Sequence, residues 1–159
     1  MVRLGFVIAL CLSDRPGFAA ESRKVVGLWK LVSYQIEVQA TGEKGAVMGE
    51  RPSGYANFSS DGRVFLMLTG DGRKPAKTDL ERAEFLNTLV AYTGMYRIEG
   101  DRWITNVDAA WNPGWVGTEQ ARSFRVEADQ LQAFSPSRVM PNWTDKGMTR
   151  SIVTFERTK

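Results

Sequence analysis

Apolar and polar residues alternate with a period of two along much of this chain, in short stretches separated by turn residues. This alternation is typical of strands with one face in the core, and many such strands in series are typical of a sandwich or a barrel. Asp61-Gly62 and Gly100-Asp101 have the composition of tight hairpin turns, because glycine adopts positive φ without steric cost. The pattern predicts strands at about 26–38, 54–59, 63–69, 94–99, 102–110, 118–127, 130–134 and 148–157.

The two ends of this pattern carry a large aromatic residue and a cationic residue, Trp29 and Arg157. In a sheet that closes on itself the first and last strands pair, so a guanidinium on the last strand lies over the indole of the first. Such a contact contributes about 0.5 to 2 kcal/mol. The alternative is a core tryptophan and an unrelated surface arginine in any β domain. We expect a closed barrel with Trp29 and Arg157 as its structural contact.

One segment departs from the strand period. Thr78 and Glu81 are spaced as a capping box, in which the threonine side chain accepts from the first turn and the glutamate reaches back. This spacing predicts one helix, inserted near the barrel opening. It forms a lid over the opening, or it plugs the barrel or packs on its outside, and both alternatives are open. The apolar residues at helical spacing are Leu80, Ala83, Leu86, Leu89 and Val90.

Composition indicates one compact domain and excludes one class of partner. The chain has 159 residues, 43% of them hydrophobic and 25% charged, which are ordinary values for a single globular domain. Its 21 basic and 18 acidic residues are mixed along the chain without a basic run. A nucleic-acid groove needs clustered basic residues. We therefore expect no nucleic-acid partner.

Histidine is absent from the sequence, and Cys11 is its single cysteine. Without imidazole, the chain lacks the base of Ser/His/Asp and Cys/His mechanisms, the usual axial ligand of haem, and the nitrogen ligands of a zinc site. We therefore expect neither a metal nor a cofactor.

The N-terminal segment has the features of an export signal. Arg3 precedes an apolar run of nine residues from Leu4 to Leu12, and small residues follow around Ala19. Such a run is too short to span a bilayer, which needs roughly 20 helical residues. We expect a signal peptide at 1–19, a barrel domain at 20–159, a periplasmic or secreted protein, and no stable membrane insertion of the mature chain.

Several distinctive strings lie between Val26 and the end of the chain: Gly27–Tyr34, Pro52–Tyr55, Ser60–Arg63, Ala91–Tyr96, Asn112–Gln120 with Arg122 and Phe124, and Phe155–Arg157. In these strings the chain resembles the lipocalin-like domain proteins of bacteria and fungi. The resemblance implies an all-β fold, a single antiparallel barrel of the calycin type with about eight strands. It also implies an interior that holds a small hydrophobic or amphipathic molecule, without specifying one ligand or one reaction.

The strand at 118–127 shows the clearest alternation and places Gln120, Arg122 and Phe124 on the inward face. A buried guanidinium is costly unless a carboxylate, a carbonyl or a ligand satisfies it. Asp108 on the neighbouring strand is the predicted partner, and Asn106 shares its face. Relatives carry histidine in place of Asn106, so an acid/base role does not transfer to this chain. The alternative is that Arg122 and Asp108 form a purely structural ion pair.

Aromatic and sulfur side chains complete the predicted pocket, with Tyr34, Phe65 and Met95 as further candidates for its wall. Trp111 and Trp115 flank a Pro-Gly bend, which favours a place at the barrel rim. The predicted ligand-binding residues are Tyr55, Met67, Tyr96, Asn106, Asp108, Trp111, Trp115, Gln120, Arg122 and Phe124.

Three classes of function follow from these observations. A binder of a small hydrophobic or amphipathic molecule comes first, because the resemblance implies a cavity. An enzyme, an isomerase or cyclase, comes second, with Asp108 or Glu119 as acid or base and Tyr96 or Arg122 stabilising negative charge. A structural or interaction module is third. A large cavity favours the first class, and a side-chain-packed barrel with an apolar outer patch favours the last.

Overall fold

The computed structural model describes residues 23–159, so the predicted signal peptide at 1–19 lies outside the described residues. Residues 23–25 are helical. One α-helix follows later in the chain, α1 (Asp79–Glu84), and 3₁₀ turns cover Phe85–Thr88, Pro113–Trp115 and Thr144–Lys146. The strands are β1 (Gly27–Val38), β2 (Lys44–Gly45), β3 (Ser53–Phe58), β4 (Arg63–Thr69), β5 (Leu89–Glu99), β6 (Arg102–Ala110), β7 (Glu119–Glu127), β8 (Gln130–Phe134), β9 (Arg138–Val139) and β10 (Met148–Arg157).

Eight of these strands form a closed ring. Each strand pairs antiparallel with the next in the order β1, β3, β4, β5, β6, β7, β8, β10, and β10 pairs back to β1. The short strands β2 and β9 extend β1 and β10 at one end. The predicted all-β lipocalin-like barrel is therefore confirmed. Within residues 23–159, no helix is long and apolar enough to cross a membrane.

The two ends of the barrel differ in their connections. At the closed end, tight turns at 59–62, 100–101 and 128–129 join neighbouring strands. At the wide end, the connections are longer: 39–52, 70–88, 111–118 and 135–147. Long connections carry fewer ladder hydrogen bonds than strands do, so the wide end is the more adaptable end of the barrel.

The closed end is held by the contact predicted between the first and last strands. The guanidinium of Arg157 lies 4.1 Å from the centre of the Trp29 indole. Its Nη1 donates to the carbonyl of Val26 at 2.8 Å, and its Nη2 donates to the carbonyl of Lys24 at 2.7 Å. A Cβ on Gly27 would lie only 2.9 Å from the same Nη1, and the φ of Gly27 is +130°. Glycine is therefore required where the arginine crosses the chain.

Aromatic side chains fill the half of the barrel next to the closed end. Phe58 contacts the rings of Tyr96 and Trp103 edge-on, at centroid distances of 5.2 and 5.0 Å. Trp103 also contacts Phe124 at 5.8 Å. Such pairs add about 0.5 to 1.5 kcal/mol each beyond the area they bury. This half of the interior is a packed core.

The helix is shorter than the sequence predicts. The capping box of Thr78 and Glu81 is present, but α1 ends at Glu84 and a 3₁₀ turn follows. Leu89 and Val90 belong to β5, where they pair with Thr69 and Leu68 of β4. Cross-strand pairing with a buried neighbour overrides the helical spacing of these two residues. Because α1 buries no side chain, the helix does not plug the barrel.

Candidate functional site

A small cavity lies in the middle of the barrel, and we call it the inner chamber. Its volume is about 20 Å³, which is room for about one water molecule. Most of its wall is apolar, and Arg122 is its only charged lining residue among those the structure describes. The lining residues are Tyr34, Leu66, Leu68, Val90, Tyr92, Trp103, Arg122, Ala133, Ser151, Val153 and Phe155.

Strand β7 directs its side chains as the alternation predicts. Gln120, Arg122 and Phe124 are all buried, and Arg122 is only 7% exposed. The Nη1 of Arg122 donates to the backbone carbonyl of Ala121 at 2.8 Å. Among residues 23–159 no carboxylate forms an ion pair with Arg122. The charge of this guanidinium is therefore not balanced by the protein around it.

The predicted partnership of Arg122 with Asp108 is wrong. Asp108 lies on the outside of the barrel, where its Oδ2 is 2.8 Å from Nη1 of Arg63, and Asn106 is exposed on the same outer face. The buried residues of β6 are Trp103, Ile104, Thr105 and Val107, of which Trp103 and Val107 belong to the hydrophobic core. The prediction chose the wrong face of β6, because Ile104 made the opposite face look equally apolar. Neither Asn106 nor Asp108 lines the inner chamber.

Strands β5 and β6 approach each other unusually closely just before Asp108. A Cβ on Gly94 would lie 1.9 Å from the carbonyl oxygen of Asn106, so only glycine fits there. The pairing register also shifts between Thr93 and Gly94, which is an irregularity of the β-bulge kind. Bulges change which way the side chains beside them point. Simple alternation from Asn106 to Ala110 therefore does not hold.

A second arginine enters the interior from the wide end, and the sequence analysis did not identify it. Arg138 in β9 donates from Nη1 to Oε1 of Gln120 at 2.6 Å, and its guanidinium lies 5.0 Å from the centre of the Trp115 ring. Its Nε and Nη2 are buried and have no acceptor. Burial, and then the charge of Arg122, lower the pKa of Arg138 to about 10. Arg138 nevertheless remains a cation at neutral pH.

Tyr34 and its neighbours complete the polar part of the interior. Tyr34 is 3% exposed, and burial raises its pKa, with the charge of Arg122 and then a hydrogen bond to Ser151 acting in the opposite direction. Its ring contacts Trp143 edge-on at 5.6 Å. Tyr92, which the prediction missed because its strand was started too late, contacts Trp115 at 5.8 Å. A neutral phenol thus shares the interior with two cations.

Loop side chains close the barrel at the wide end. Met48, Met140 and Trp143 lie in the wide-end connections and are 1%, 2% and 6% exposed. Asn142 links the 135–147 connection to the segment before β5, because its Nδ2 donates to the carbonyls of Leu86, Asn87 and Leu89 at 3.2 to 3.5 Å. Two of these connections, 39–52 and 135–147, also join the sheet through the two-residue strands β2 and β9.

Trp111 and Trp115 lie at the wide end, where the sequence predicts a rim. Their rings contact each other edge-on at 6.0 Å. Trp115 is buried, with an exposed fraction of 6%, whereas Trp111 is half-buried. The two residues therefore separate the interior from the outer surface.

The remaining predicted pocket residues face a different depression, on the outside of the barrel, which we call the outer groove. Its volume is about 440 Å³. Tyr55 and Met67 are 46% and 61% exposed there, so the prediction that they share a cavity with Arg122 is wrong. Phe65 also lies in the groove, and Met95 is exposed on the outer face. The lining residues are Tyr55, Asn57, Phe65, Leu66, Met67, Ala91, Tyr92, Thr93, Ala109, Ala110 and Trp111.

The structure does not bring the four candidate catalytic residues together. Glu119 lies on the outside, where a hydrogen bond from Arg97 at 2.7 Å lowers its pKa. Tyr96 is half-buried beside Phe58 and donates to the carbonyl of Ser59 at 3.2 Å. Asp108 is outside and Arg122 inside, as described above.

Acidic residues do not gather in the part of the chain that the structure describes. Within residues 23–159, no group of three or more Asp, Glu, His or Cys side chains is placed to hold a metal ion.

The comparisons with known proteins concern the fold. The model of the lipocalin-like domain matches residues 26–158. No curated protein matches the chain. Among solved structures, a redesigned β-barrel is similar, with a TM-score of 0.43 and 10% sequence identity, over 87% of this chain and 95% of that one.

Proposed function

Because the chain belongs to the lipocalin-like domain family, we propose that its barrel binds a small amphipathic molecule in the inner chamber. The apolar body of the molecule packs against the aliphatic wall, and its polar head meets Arg122. One observation carries the proposal: Arg122 is buried, lines the chamber, and has no carboxylate partner within residues 23–159.

A purely structural interior would not keep such a group. Well-packed apolar side chains at the same positions are often as stabilising as a buried ion pair or more so, and a buried cation without a partner is worse than either. A cost of this kind is typical of functional sites, where a ligand supplies what the protein leaves out. Arg122 therefore favours a binder, whereas the small volume of the chamber and the apolar outer groove are the features that favour the interaction module.

Entry of a ligand requires the wide end to open. The chamber has about 20 Å³ in its closed form, so any molecule larger than a water enters only when loop side chains move. Met48 and Met140 have flexible, polarisable side chains that repack easily. The 135–147 connection pairs with β10 over only two residues, Arg138 and Val139, and hydrogen bonds of Asn142 also hold it. These features make the connection the route of entry in our proposal.

The test uses a neutral fluorescent probe, N-phenyl-1-naphthylamine, and two alanines on opposite sides of the wall. Ala133 lines the inner chamber, and Ala109 lines the outer groove. We expect Ala133→Leu to fill the chamber and weaken probe binding at least ten-fold. Ala109→Leu should leave binding unchanged. The opposite result would place the site in the groove, and no binding by wild type would refute the proposal. Thermal unfolding confirms that both variants fold, since overpacking typically costs about 1 to 3 kcal/mol.

We also propose that the barrel is exported. The basic start and the short apolar run from Leu4 to Leu12 support this proposal. N-terminal sequencing of the protein from its native host should find a mature chain that begins near Ala20. Intact Met1 in a cytoplasmic fraction would contradict export.

The outer groove favours a second candidate function, an interaction module that associates with its own copies. Phe65 and Met67 are 52% and 61% exposed on one apolar surface, and exposed apolar patches are typical of association sites. Sedimentation velocity should then show concentration-dependent dimers that Met67→Glu abolishes. A wild-type protein that stays monomeric at all concentrations would exclude this candidate.

A further inference from the structure

We propose that the head group bound in the inner chamber is a carboxylate, held jointly by Arg122 and Arg138. This inference rests on the proposed function and narrows its ligand to an amphipathic organic anion. It also involves Arg138. This residue does not line the inner chamber, but its side chain donates a hydrogen bond to Gln120 in the same polar interior.

The first argument is the charge balance of the interior. The groups in contact with the two guanidiniums are all neutral: the amide oxygen of Gln120, the carbonyl of Ala121 and the ring of Trp115. Within residues 23–159 neither arginine forms an ion pair. Arginines elsewhere on the barrel do pair with acids: Arg63 with Asp108, Arg97 with Glu119, Arg150 with Glu37 and Arg157 with Asp129, at 2.8, 2.7, 3.0 and 3.9 Å.

The second argument is the pattern of vacant donors. Nε and Nη2 of Arg138 are buried without an acceptor, whereas Nη1 is used by Gln120. The N–H groups of Nε and Nη2 lie on one edge of the guanidinium plane. That edge is the one that binds a carboxylate through two parallel hydrogen bonds. The vacancy therefore fits a planar acceptor with two oxygens.

The third argument is the nature of the surrounding wall. Leu66, Leu68, Val90, Val153 and Phe155 give the chamber an apolar wall beside Arg122. A free inorganic anion would make no contact with that wall. An aliphatic or aromatic acid contacts both the guanidiniums and the apolar wall. Interactions of a charged head are also stronger in a site that excludes water.

Tyr34 is compatible with an anionic ligand. Because burial raises its pKa, the phenol keeps its proton at neutral pH and does not compete with the ligand as an anion. A neutral phenol is a hydrogen-bond donor to an incoming carboxylate. No carboxylate of residues 23–159 lines the chamber to repel such a ligand.

The test is calorimetric titration with ten-carbon ligands that differ only in the head group: decanoate, decanol and decyl phosphate. We expect wild type to bind decanoate at least ten-fold more tightly than decanol. Arg138→Met should remove that preference, because hydrogen bonds between charged groups are lost. Arg122→Met should do the same. Arg150→Met is the matched control, since it removes the same charge from an exposed position and should keep the preference.

The outcomes separate this inference from the proposed function. Equal affinity of wild type for decanoate and decanol would overturn the anionic head and leave the proposed function intact. Tighter binding of decyl phosphate than of decanoate would identify a phosphate ester and overturn the carboxylate. Failure of all three ligands would refute the proposed function itself. Unchanged decanoate affinity in Arg138→Met, with thermal unfolding showing a folded variant, would remove Arg138 from the site.

Discussion

The barrel carries an arginine stacked on a tryptophan at each end, and the two arginines differ in how their N–H donors are satisfied. At the closed end, Arg157 lies 4.1 Å from the Trp29 ring centre and donates to two backbone carbonyls. At the wide end, Arg138 lies 5.0 Å from the Trp115 ring centre, but two of its nitrogens are buried without any acceptor. The stacking is similar, and the hydrogen bonding is not.

This difference separates a structural contact from a binding site. A guanidinium whose donors are satisfied within the fold stabilises the fold and leaves nothing for a ligand. A guanidinium with vacant buried donors destabilises the empty protein and stabilises the complex when an acceptor arrives. The stacking contact alone does not distinguish the two roles. Replacing Arg157 should therefore lower the free energy of unfolding, and replacing Arg138 should raise it.

The largest effect is expected at the closed end. Arg157→Ala should lower the free energy of unfolding by about 1 to 3 kcal/mol, because packing on Trp29 and two hydrogen bonds are lost. Urea denaturation measures this change. Arg102→Ala is the control, since Arg102 is exposed and lies 3.6 Å from Glu99. An Arg157→Ala protein as stable as wild type would show that the closed-end contact is not structural.

At the wide end, the change in the free energy of unfolding should have the opposite sign. Arg138→Met keeps most of the side-chain volume and removes buried N–H donors that have no acceptor. We expect the ligand-free variant to be more stable than wild type by about 1 to 2 kcal/mol. Arg150→Met, which loses the same charge on the surface, should not gain stability. A loss of stability in Arg138→Met would mean that its stacking on Trp115 matters more than its vacant donors.

The gain in Arg138→Met should also depend on pH. Arg138 has a pKa of about 10 in the fold, below its ordinary value, so above about pH 10 the unfolded chain binds more protons than the fold. Wild-type stability therefore improves, relative to the variant, as pH rises through 10. Arg122, Tyr34 and Tyr92 face the same interior, and loss of the Arg138 charge also raises the pKa of Tyr34, which lowers the stability of the variant at high pH and narrows the gap in the same direction. Denaturation at pH 9 and pH 11 should show a narrower gap at pH 11, and a constant gap would contradict the lowered pKa.

The smallest effect should come from the acid that the sequence assigns to the interior. Asp108→Asn should change stability by only about 0.2 to 1 kcal/mol, because its partnership with Arg63 is half-exposed. Breaking a buried pair would cost about 3 to 5 kcal/mol. Glu119→Gln, which weakens another outer pair, is the matched control. A large loss of stability in Asp108→Asn, without one in Glu119→Gln, would indicate that Asp108 is paired inside the barrel. The arginines of the interior would then have an acidic partner, and the contrast between the two ends would not hold.

Strand positions could be predicted from the sequence because half-buried strands impose a period of two. The predicted and observed limits of β4, β6 and β10 coincide. Strand β7 was also assigned to the correct face, since Arg122 lies between two uncharged inward neighbours and the charged residues lie on the other face. Where one face is plainly polar, alternation fixes both position and direction.

Prediction failed where both faces of a strand are apolar or where no period exists. In β6 both Trp103 and Ile104 are buried, so the pattern does not identify the inward face. Arg138 belongs to a strand of only two residues after a Ser-Pro-Ser segment, and no periodicity marks it. The part of the candidate site that lies on β7, with Gln120 and Arg122, could therefore be predicted from the sequence. The other part depends on how a long connection folds back over the interior.

The seam between β1 and β10 also has a consequence for folding kinetics. The hydrogen bond from Arg157 to Val26 joins residues that are 131 positions apart in the chain, whereas most other neighbouring strands of the ring are adjacent in sequence. Closing so long a loop costs entropy before any contact repays it, so long-range pairings form late and slow the search. Neighbouring hairpins of the ring should therefore pair first, and the pairing of β1 with β10 should form last. A circular permutant with joined termini, opened within the 70–88 connection, would make this seam local and the β4–β5 pairing the long-range one, so the last pairing to form should move to β4 and β5.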